Sequence, residues 1–352
     1  MADRAVQGHR GGLAMLRLAR PILPSALALA LLAAAVLTVA VPAATQTRLQ
    51  AWPRRPLTMV VPYAPGGSTD LIARLVAPGL AAALDQPVLI ENMSGVGGIA
   101  GVSRVAKAAA DGYQFVVGNV GTHAQNQFLF AYPPYDAAVE FAVAARLVDQ
   151  AMLIAVRPDL PVAGLDDFVA RLKTNGASMQ YASAGFGSPT HLACALLNST
   201  IGVDVRHVPF RGGSPATREL LAGKVDYFCS NVAAIKPHIV ANRLKTPAVL
   251  SRLRLQVLPD VATAQEQGLK DFEASNWLAL FLPAATPEEI VARLNAAVIA
   301  ALADQDLQTK LRALAAEPAP PDQNTPERLA AFWAAERDKW GRIIRKSNIR
   351  LE

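Results

Sequence analysis

The feature that most restricts the fold of this chain is a regular exchange between two kinds of segment. Short apolar, β-like runs occur at "LTMVVPY", "PVLIEN", "QFVVGNV", "MLIAVRP", "MQYAS", "VRHVPF", "VDYFCS", "TPAVLS" and "WLALFLP". Amphipathic stretches such as "LIARLVAPGLAAAL", "GIAGVSRVAKAA" and "LDDFVARLKTN" separate most of them. Strands that alternate with helices line up as parallel sheets covered by helices, which predicts an α/β architecture. Pro78 lies well inside the first helical pattern, where its missing N–H and its ring predict a kink or a break. The C-terminal part is almost wholly helical. There, "TPEEIVARLNAAVIAALA" opens with Thr286 as cap, Pro287 at the first helical position and Glu289 closing a capping box. "TPERLAAFWAAERDKWGRIIRK" opens the same way at Thr325 and Pro326. Trp333 and Trp340, seven apart on one face, suit core packing.

A chain of 352 residues, 52% hydrophobic and 18% charged, has material for two domains with substantial cores. Its formal charge of +6 owes much to the first 44 residues, where Arg4, Arg10, Arg17 and Arg20 face Asp3 alone. The remainder carries about +3. No basic tract interleaved with aromatics occurs, so nucleic acid is excluded as a partner. "RLARP", then "ALALALLAAAVLTVAV", then "VPAA" have the order of an export signal, residues 1–44, with cleavage expected after Ala43 or Ala44. An uncleaved anchor is the competing reading, and Met15 offers a second start. Export implies a periplasmic location. It also permits a disulfide between Cys194 and Cys229. The apolar flanks "HLACALL" and "VDYFCS" favour two free, packed thiols instead.

Chemistry-bearing motifs are few. "PGGSTD" follows a strand-like run directly and opens a helix, combining Gly66 and Gly67 with the helix-starting residues Ser68, Thr69 and Asp70. One reading is a well-capped tight turn. The other is an anion site, because a helix start presents unpaired N–H groups and the positive end of its dipole. "GVGGIA" at 95–100 has the outline of a dinucleotide fingerprint, but the next strand-like run carries no acid for the ribose. In "SAGFGS" neither Ser183 nor Ser188 has the flanking glycines of a nucleophile elbow. The five histidines show no metal-ligand spacing. What recurs is glycine followed by hydroxyls at a helix start: "PGGSTD", "GFGSPTH" and "RGGSPAT", with "GNVGTH" similar at a strand end. In the second and third, Pro189 and Pro215 follow serine at the first helical position. Such loops converge at the carboxyl ends of strands in open α/β sheets. Together they suit a small anion held by N–H and hydroxyl groups without fixed counter-charge.

These segments also resemble a known family. "VVPYAPGGSTDLIARL", "IENMSGVGGIAGVSRVAKAAADGYQFVVGNVGTHAQN", "YASAGFGSPTHLA", "HVPFRGG", "LLAGKVDYFCSN", "LPDVATAQEQGL" and "FEASNWLALFLPAATP" are similar to the tripartite tricarboxylate transporter substrate-binding proteins, the Bug-type periplasmic solute receptors. The resemblance covers about residues 52–345. It implies a two-lobed periplasmic-binding-protein fold, type II-like, each lobe a sheet flanked by helices, with a helical C-terminal extension. Lobe one would be 52–150 plus 272–352 and lobe two 151–271, with crossing strands near "MLIAVRP" and "NWLALFLP". It implies a monomeric, non-enzymatic receptor without cofactor or metal, which hands an organic acid to integral-membrane permease subunits. The ligand-contacting positions would be Tyr63, Gly66, Gly67, Ser68, Thr69, Asp70, Thr122, His123, Ser183, Gly185, Ser188, Thr190 and Asn231. Ser230-Asn231 departs from the Asp-Asn expected there, which leaves ligand identity open. An α/β enzyme, hydrolytic or nucleotide-dependent, and a sensor serving a signalling partner are the alternatives.

Overall fold

The computed structural model describes residues 52–347 and 349, so the expected signal peptide lies outside the described residues. The alternation resolves into β1 (Leu57–Val61), α1 (Ser68–Leu84), β2 (Val88–Asn92), α2 (Ile99–Ala106), β3 (Gln114–Asn119) and β4 (Phe141–Val156). Then come α3 (Leu165–Asn175), β5 (Gln180–Ser183), α4 (Pro189–Ile201), β6 (Arg206–Pro209), α5 (Gly213–Leu221), β7 (Tyr227–Asn231), α6 (Val232–Val240) and β8 (Lys245–Val249). The chain closes with β9 (Ser275–Pro283), α7 (Glu288–Leu302), α8 (Gln305–Arg312), β10 (Ala316–Pro318) and α9 (Pro326–Ser347). Every predicted apolar run contains a strand. The first half of β4 and the three residues of β10 are strand that the run pattern did not single out.

The strands form one sheet in the order β2-β1-β3-β9-β4-β7-β5-β6, with β8 and β10 also paired to β4. β4 is the common member of two lobes. Its first part runs antiparallel to β9, from Phe141 opposite Pro283 to Ala151 opposite Ser275. Its last part runs antiparallel to β7, from Met152 opposite Asn231 to Val156 opposite Tyr227. β1 lies parallel to β2 and β3, and β5 parallel to β6 and β7, so each lobe has the helical crossovers the alternation predicts. In the second lobe the pleat divides β4 between two cores. Met152, Ile154 and Val156 pack with Phe168 and Tyr227, whereas Leu153 and Ala155 pack with Phe228 and Ile235. Burial on both faces explains why these strands read as continuous apolar runs. The first lobe centres on Val60, Val116, Phe281, Trp277, Trp333 and Trp340, so the two C-terminal tryptophans are core residues.

Four local expectations are corrected. α1 continues as one helix through Pro78. Pro78 is exposed, so the carbonyl four residues earlier loses its N–H partner on the solvent side, where water replaces it. α7 starts at Glu288, one residue after Pro287, with no side-chain cap, and Thr286 Oγ1 is buried without a partner. At α9, in contrast, Arg328 N donates to Thr325 Oγ1 at 3.3 Å. α5 starts at Gly213, ahead of Pro215, and Ser214 accepts from Arg218 instead of capping. Finally, Cys194 and Cys229 are not free thiols; they form a disulfide between α4 and β7, with Cα atoms 5.4 Å apart. The apolar flanks correctly signal burial. Burial does not prevent a bond when a helix packs its cysteine directly onto a strand bearing another at bonding distance.

Candidate functional site

The carboxyl ends of β1, β3, β5 and β7 and the helix starts that follow them meet between the lobes. A cavity there is lined by Tyr63, Gly67, Ser68, Thr69, Asn119 and Asn276 from the first lobe. From the second come Ala184, Pro189, Thr190, Gly213, Phe228, Ser230, Asn231 and Ala234. About 30 Å³ is open to a water-sized sphere, so the lobes are nearly closed on one another. None of these lining residues carries a charge.

Glycines make the closure possible. A Cβ on Gly97 would lie 1.8 Å from the Phe186 carbonyl oxygen, and one on Gly121 would lie 2.8 Å from that of Gly187. One on Gly212 would lie 2.9 Å from Ala64 N. Beside this last contact Ala64 N donates across to Arg211 O at 3.1 Å. "GVGGIA" therefore forms a short 3-10 turn, Val96–Gly98, that abuts the second lobe.

The start of α1 supplies the hydrogen-bond donors of the first lobe's wall. Gly67 is its N-cap and no side chain caps it. The N–H groups of the first turn have no helix carbonyl to reach. Ser68 and Thr69 are buried and line the cavity, so their hydroxyls sit with these N–H groups. Asp70 does something else. Its carboxylate accepts from Gly66 N at 2.9 Å, Arg74 Nε at 2.9 Å and Asn92 Nδ2 at 2.8 Å. Burial alone would raise its pKa, but the bonds from Arg74, Gly66 and Asn92 outweigh that and hold the carboxyl below its usual range. Asp70 and Gly66 thus fix the loop rather than line the cavity. Tyr63 donates to Gly97 O at 2.9 Å and accepts from Asn119 Nδ2 at 2.9 Å. Burial, partly opposed by the Asn119 bond, raises its pKa and keeps the phenol neutral.

In the second lobe the hydroxyls are mostly engaged with each other. Ser188 caps α4, accepting from His191 N at 3.3 Å, and its hydroxyl lies 3.0 Å from Thr190 Oγ1. Thr190 Oγ1 also accepts from Ala184 N at 2.8 Å and reaches the cavity. Ser183 accepts from Gly185 N at 3.0 Å and lies 2.6 Å from His207 Nε2. His207 stacks on His191 with centroids 4.0 Å apart, and its Nδ1 has no partner. No carboxylate orients this Ser–His pair, so it lacks the third member of a triad. Burial lowers the pKa of His191 to about 4; burial, then the charge of His191, lowers that of His207 to about 3.

Of the positions expected to touch ligand, the structure brings Tyr63, Gly67, Ser68, Thr69, Thr190 and Asn231 to the cavity wall. Gly66, Asp70, Ser183, Gly185 and Ser188 lie behind it in the supporting loops. Thr122 and His123 are deeper still. His123 is wholly buried, stacks on Phe281 at 3.7 Å and receives Trp333 Nε1 on its carbonyl at 2.7 Å. Burial drives its pKa down to about 3, so it is a neutral core residue. Asn119, within "GNVGTH", and Asn276 are wall residues outside the expected set of ligand-contacting positions. The one signal for Asn276 was an amide inside the otherwise apolar strand "NWLALFLP".

This geometry has known counterparts. Residues 72–349 match the family model described as the tripartite tricarboxylate transporter family receptor. The solved periplasmic binding protein BugD is 32% identical, with TM-score 0.82, covering 86% of this chain and all of its own. MatC from Rhodopseudomonas palustris, solved with bound malate, is 39% identical with TM-score 0.81, covering 83% of this chain and 100% of that one. R. palustris Rpa4515, solved with adipate, is 33% identical with TM-score 0.81, covering 85% and 99%. The match to the family model over residues 72–349 and the shared fold assign this cleft to a receptor. The chain belongs to the tripartite tricarboxylate transporter receptors, a family of periplasmic solute-binding proteins and not of enzymes.

Proposed function

We propose that this protein captures a small organic carboxylate in the interlobe cleft and delivers it to integral-membrane permease subunits. The observation that carries the reading is the start of α1. Its uncapped N–H groups and the Ser68 and Thr69 hydroxyls open into a cavity with no charged wall residue. A carboxylate there receives several charge-assisted hydrogen bonds plus the helix dipole, with no fixed cation required. The ligands seen in MatC and Rpa4515, malate and adipate, are of that class. Residues 52–150 with 272–352 act as one rigid lobe and 151–271 as the other, hinging where β4 and β9 cross, and the receptor works as a monomer. Residues 1–44 direct export and are removed, so sequencing of the periplasmic protein should begin near residue 45.

A thermal-shift screen of purified protein against mono-, di- and tricarboxylates tests the central claim. A ligand at 100 times its Kd adds about 2.7 kcal/mol, so at least one acid should raise the Tm by several degrees. Mass spectrometry of the denatured protein should release a small acid. A screen in which no acid shifts the Tm, with none released, overturns the reading.

A further inference from the structure

The cleft wall contains a chain of side-chain amides whose direction has a consequence for the ligand. Gln150 on β4 stands opposite Asn276 on β9 in the strand register. Gln150 Nε2 donates to Ser68 Oγ, and Asn276 Nδ2 donates to Gln150 Oε1 at 2.9 Å. Gln150 is 2% exposed and Asn276 1%. At the end of this chain Asn276 Oδ1 is buried with no partner. Asn231 ends in the same condition. It is the N-cap residue of α6, where asparagine ordinarily caps, yet its side chain makes no capping bond and its buried Oδ1 is unpaired. Both residues line the cavity.

An amide can be turned over, so the direction of the chain needs a reason. An anion at the start of α1 supplies one. A carboxylate has no proton to give, and Ser68 binds it by donating its O–H. Ser68 Oγ is then the acceptor for Gln150 Nε2, which leaves Gln150 Oε1 to accept from Asn276 Nδ2. Asn276 is thereby fixed with its oxygen as the unpaired end of the chain. A buried acceptor left unmade is costly, so whatever fills the cleft should bring a donor to it. An ammonium is a poor candidate, because no carboxylate lines the wall to balance a buried cation. A hydroxyl is neutral and donates equally well.

We infer that the cleft selects hydroxycarboxylates, the ligand's hydroxyl donating to the unpaired amide oxygen of Asn276 while its carboxylate takes the Ser68 hydroxyl. This rests on the carboxylate reading above and narrows it to one chemical class. Asn231 stands ready as a second acceptor for a further hydroxyl or a bound water.

Calorimetry on matched acids tests it. The probes are lactate with propionate, malate with succinate and 2-hydroxyglutarate with glutarate, each hydroxy acid as both enantiomers, plus aspartate and glutamate. At least one hydroxy acid should bind 10-fold or more tightly than its deoxy partner and than the matching amino acid, because a site built around a hydroxyl strongly rejects the analogue without it. In Asn276→Leu that ratio should fall to about 1, whatever the loss of its bond to Gln150 does to the affinity for the deoxy acid itself. A deoxy acid binding as tightly as its hydroxy partner overturns the inference and leaves the carboxylate reading standing. Tighter aspartate or glutamate overturns it in favour of an ammonium. A ratio that survives in Asn276→Leu also overturns it, since another group then receives the hydroxyl. Failure of every acid to bind removes the carboxylate reading and the inference together. The comparison in the parent protein decides the matter even where the variant folds poorly.

Discussion

Replacing Gly97 by alanine should separate closing of the lobes from folding of the lobes. Gly97 has φ +62°, and a Cβ built there meets the second lobe's backbone: Phe186 O at 1.8 Å, Phe186 C at 2.8 Å and Ser188 N at 3.0 Å. Real Cβ atoms keep at least 3.0 Å, and backbone cannot swing aside as a flexible side chain would. The lobes must part by about an ångström at this point, or the turn must rebuild; overpacking of this kind costs roughly 1–3 kcal/mol. That cost belongs to the closed form alone. The left-handed conformation adds about 1 kcal/mol in any arrangement of the lobes. Gly202, which follows α4, provides the control, with φ +71° and nothing within 4 Å. Gly202→Ala should lower the ligand-free Tm by roughly 2–4 °C and leave affinity alone. Gly97→Ala should lower Tm comparably and weaken the best organic acid about 10- to 100-fold by calorimetry. Small-angle scattering should show the parent contracting at saturating acid and Gly97→Ala contracting less. Parental affinity and full contraction in Gly97→Ala would refute the idea that these glycines exist for interlobe contact.

Three further outcomes are expected. The disulfide spans a sequence separation of 35, so loop-closure entropy makes it worth about 3–4 kcal/mol; the double Cys194→Ser, Cys229→Ser variant should melt far lower in scanning calorimetry yet still bind acid. His123, His191 and His207 have folded pKa values of about 3, 4 and 3, below the ordinary 6.5. The unfolded chain therefore takes up protons that the folded one refuses. Stability should be full above pH 6.5 and fall toward pH 4, by at most about 1.4 kcal/mol per pH unit for each histidine, with a shallower slope in His191→Gln measured by urea titration. Thr69→Val keeps shape and removes a hydroxyl that caps nothing, so ligand-free Tm should hold while acid affinity drops about 10-fold; the reverse pattern would make Thr69 a cap.

The elements that were legible in the sequence are those with a strong period or an uninterrupted apolar run. Strands buried on both faces, such as β3 and β7, and helices of ordinary length were visible for that reason. The first part of β4, "FAVAARLVDQ", was not, because it carries Arg146, Asp149 and Gln150 where a buried strand should be apolar. Each has a tertiary reason: Arg146 and Asp149 pair with each other, and Gln150 belongs to the cleft. The site divided along the same line. Ser68, Thr69 and Thr190 sit in the first turns of helices whose start the local grammar announces. Asn119 and Asn276 sit on strands, and only the order β3-β9-β4, which no local pattern encodes, brings them beside α1. The disulfide needed the same information.

Two of the places where local rules fail in this molecule lie at the cleft. α1 has serine, threonine and aspartate at its start and uses none of them as a side-chain cap. Asn231 occupies an N-cap position and leaves its own helix uncapped. By propensity alone both are lost opportunities of about 1 kcal/mol. Hydroxyls and amides withheld from their own helices remain free for a molecule arriving from outside. "GVGGIA" teaches the complementary lesson. Its glycines are needed for close backbone approach, as in a dinucleotide site, but what approaches Gly97 is the carbonyl of Phe186. A glycine pattern reports that something must come near the main chain. Only the fold says whether that is a phosphate or the other half of the same protein.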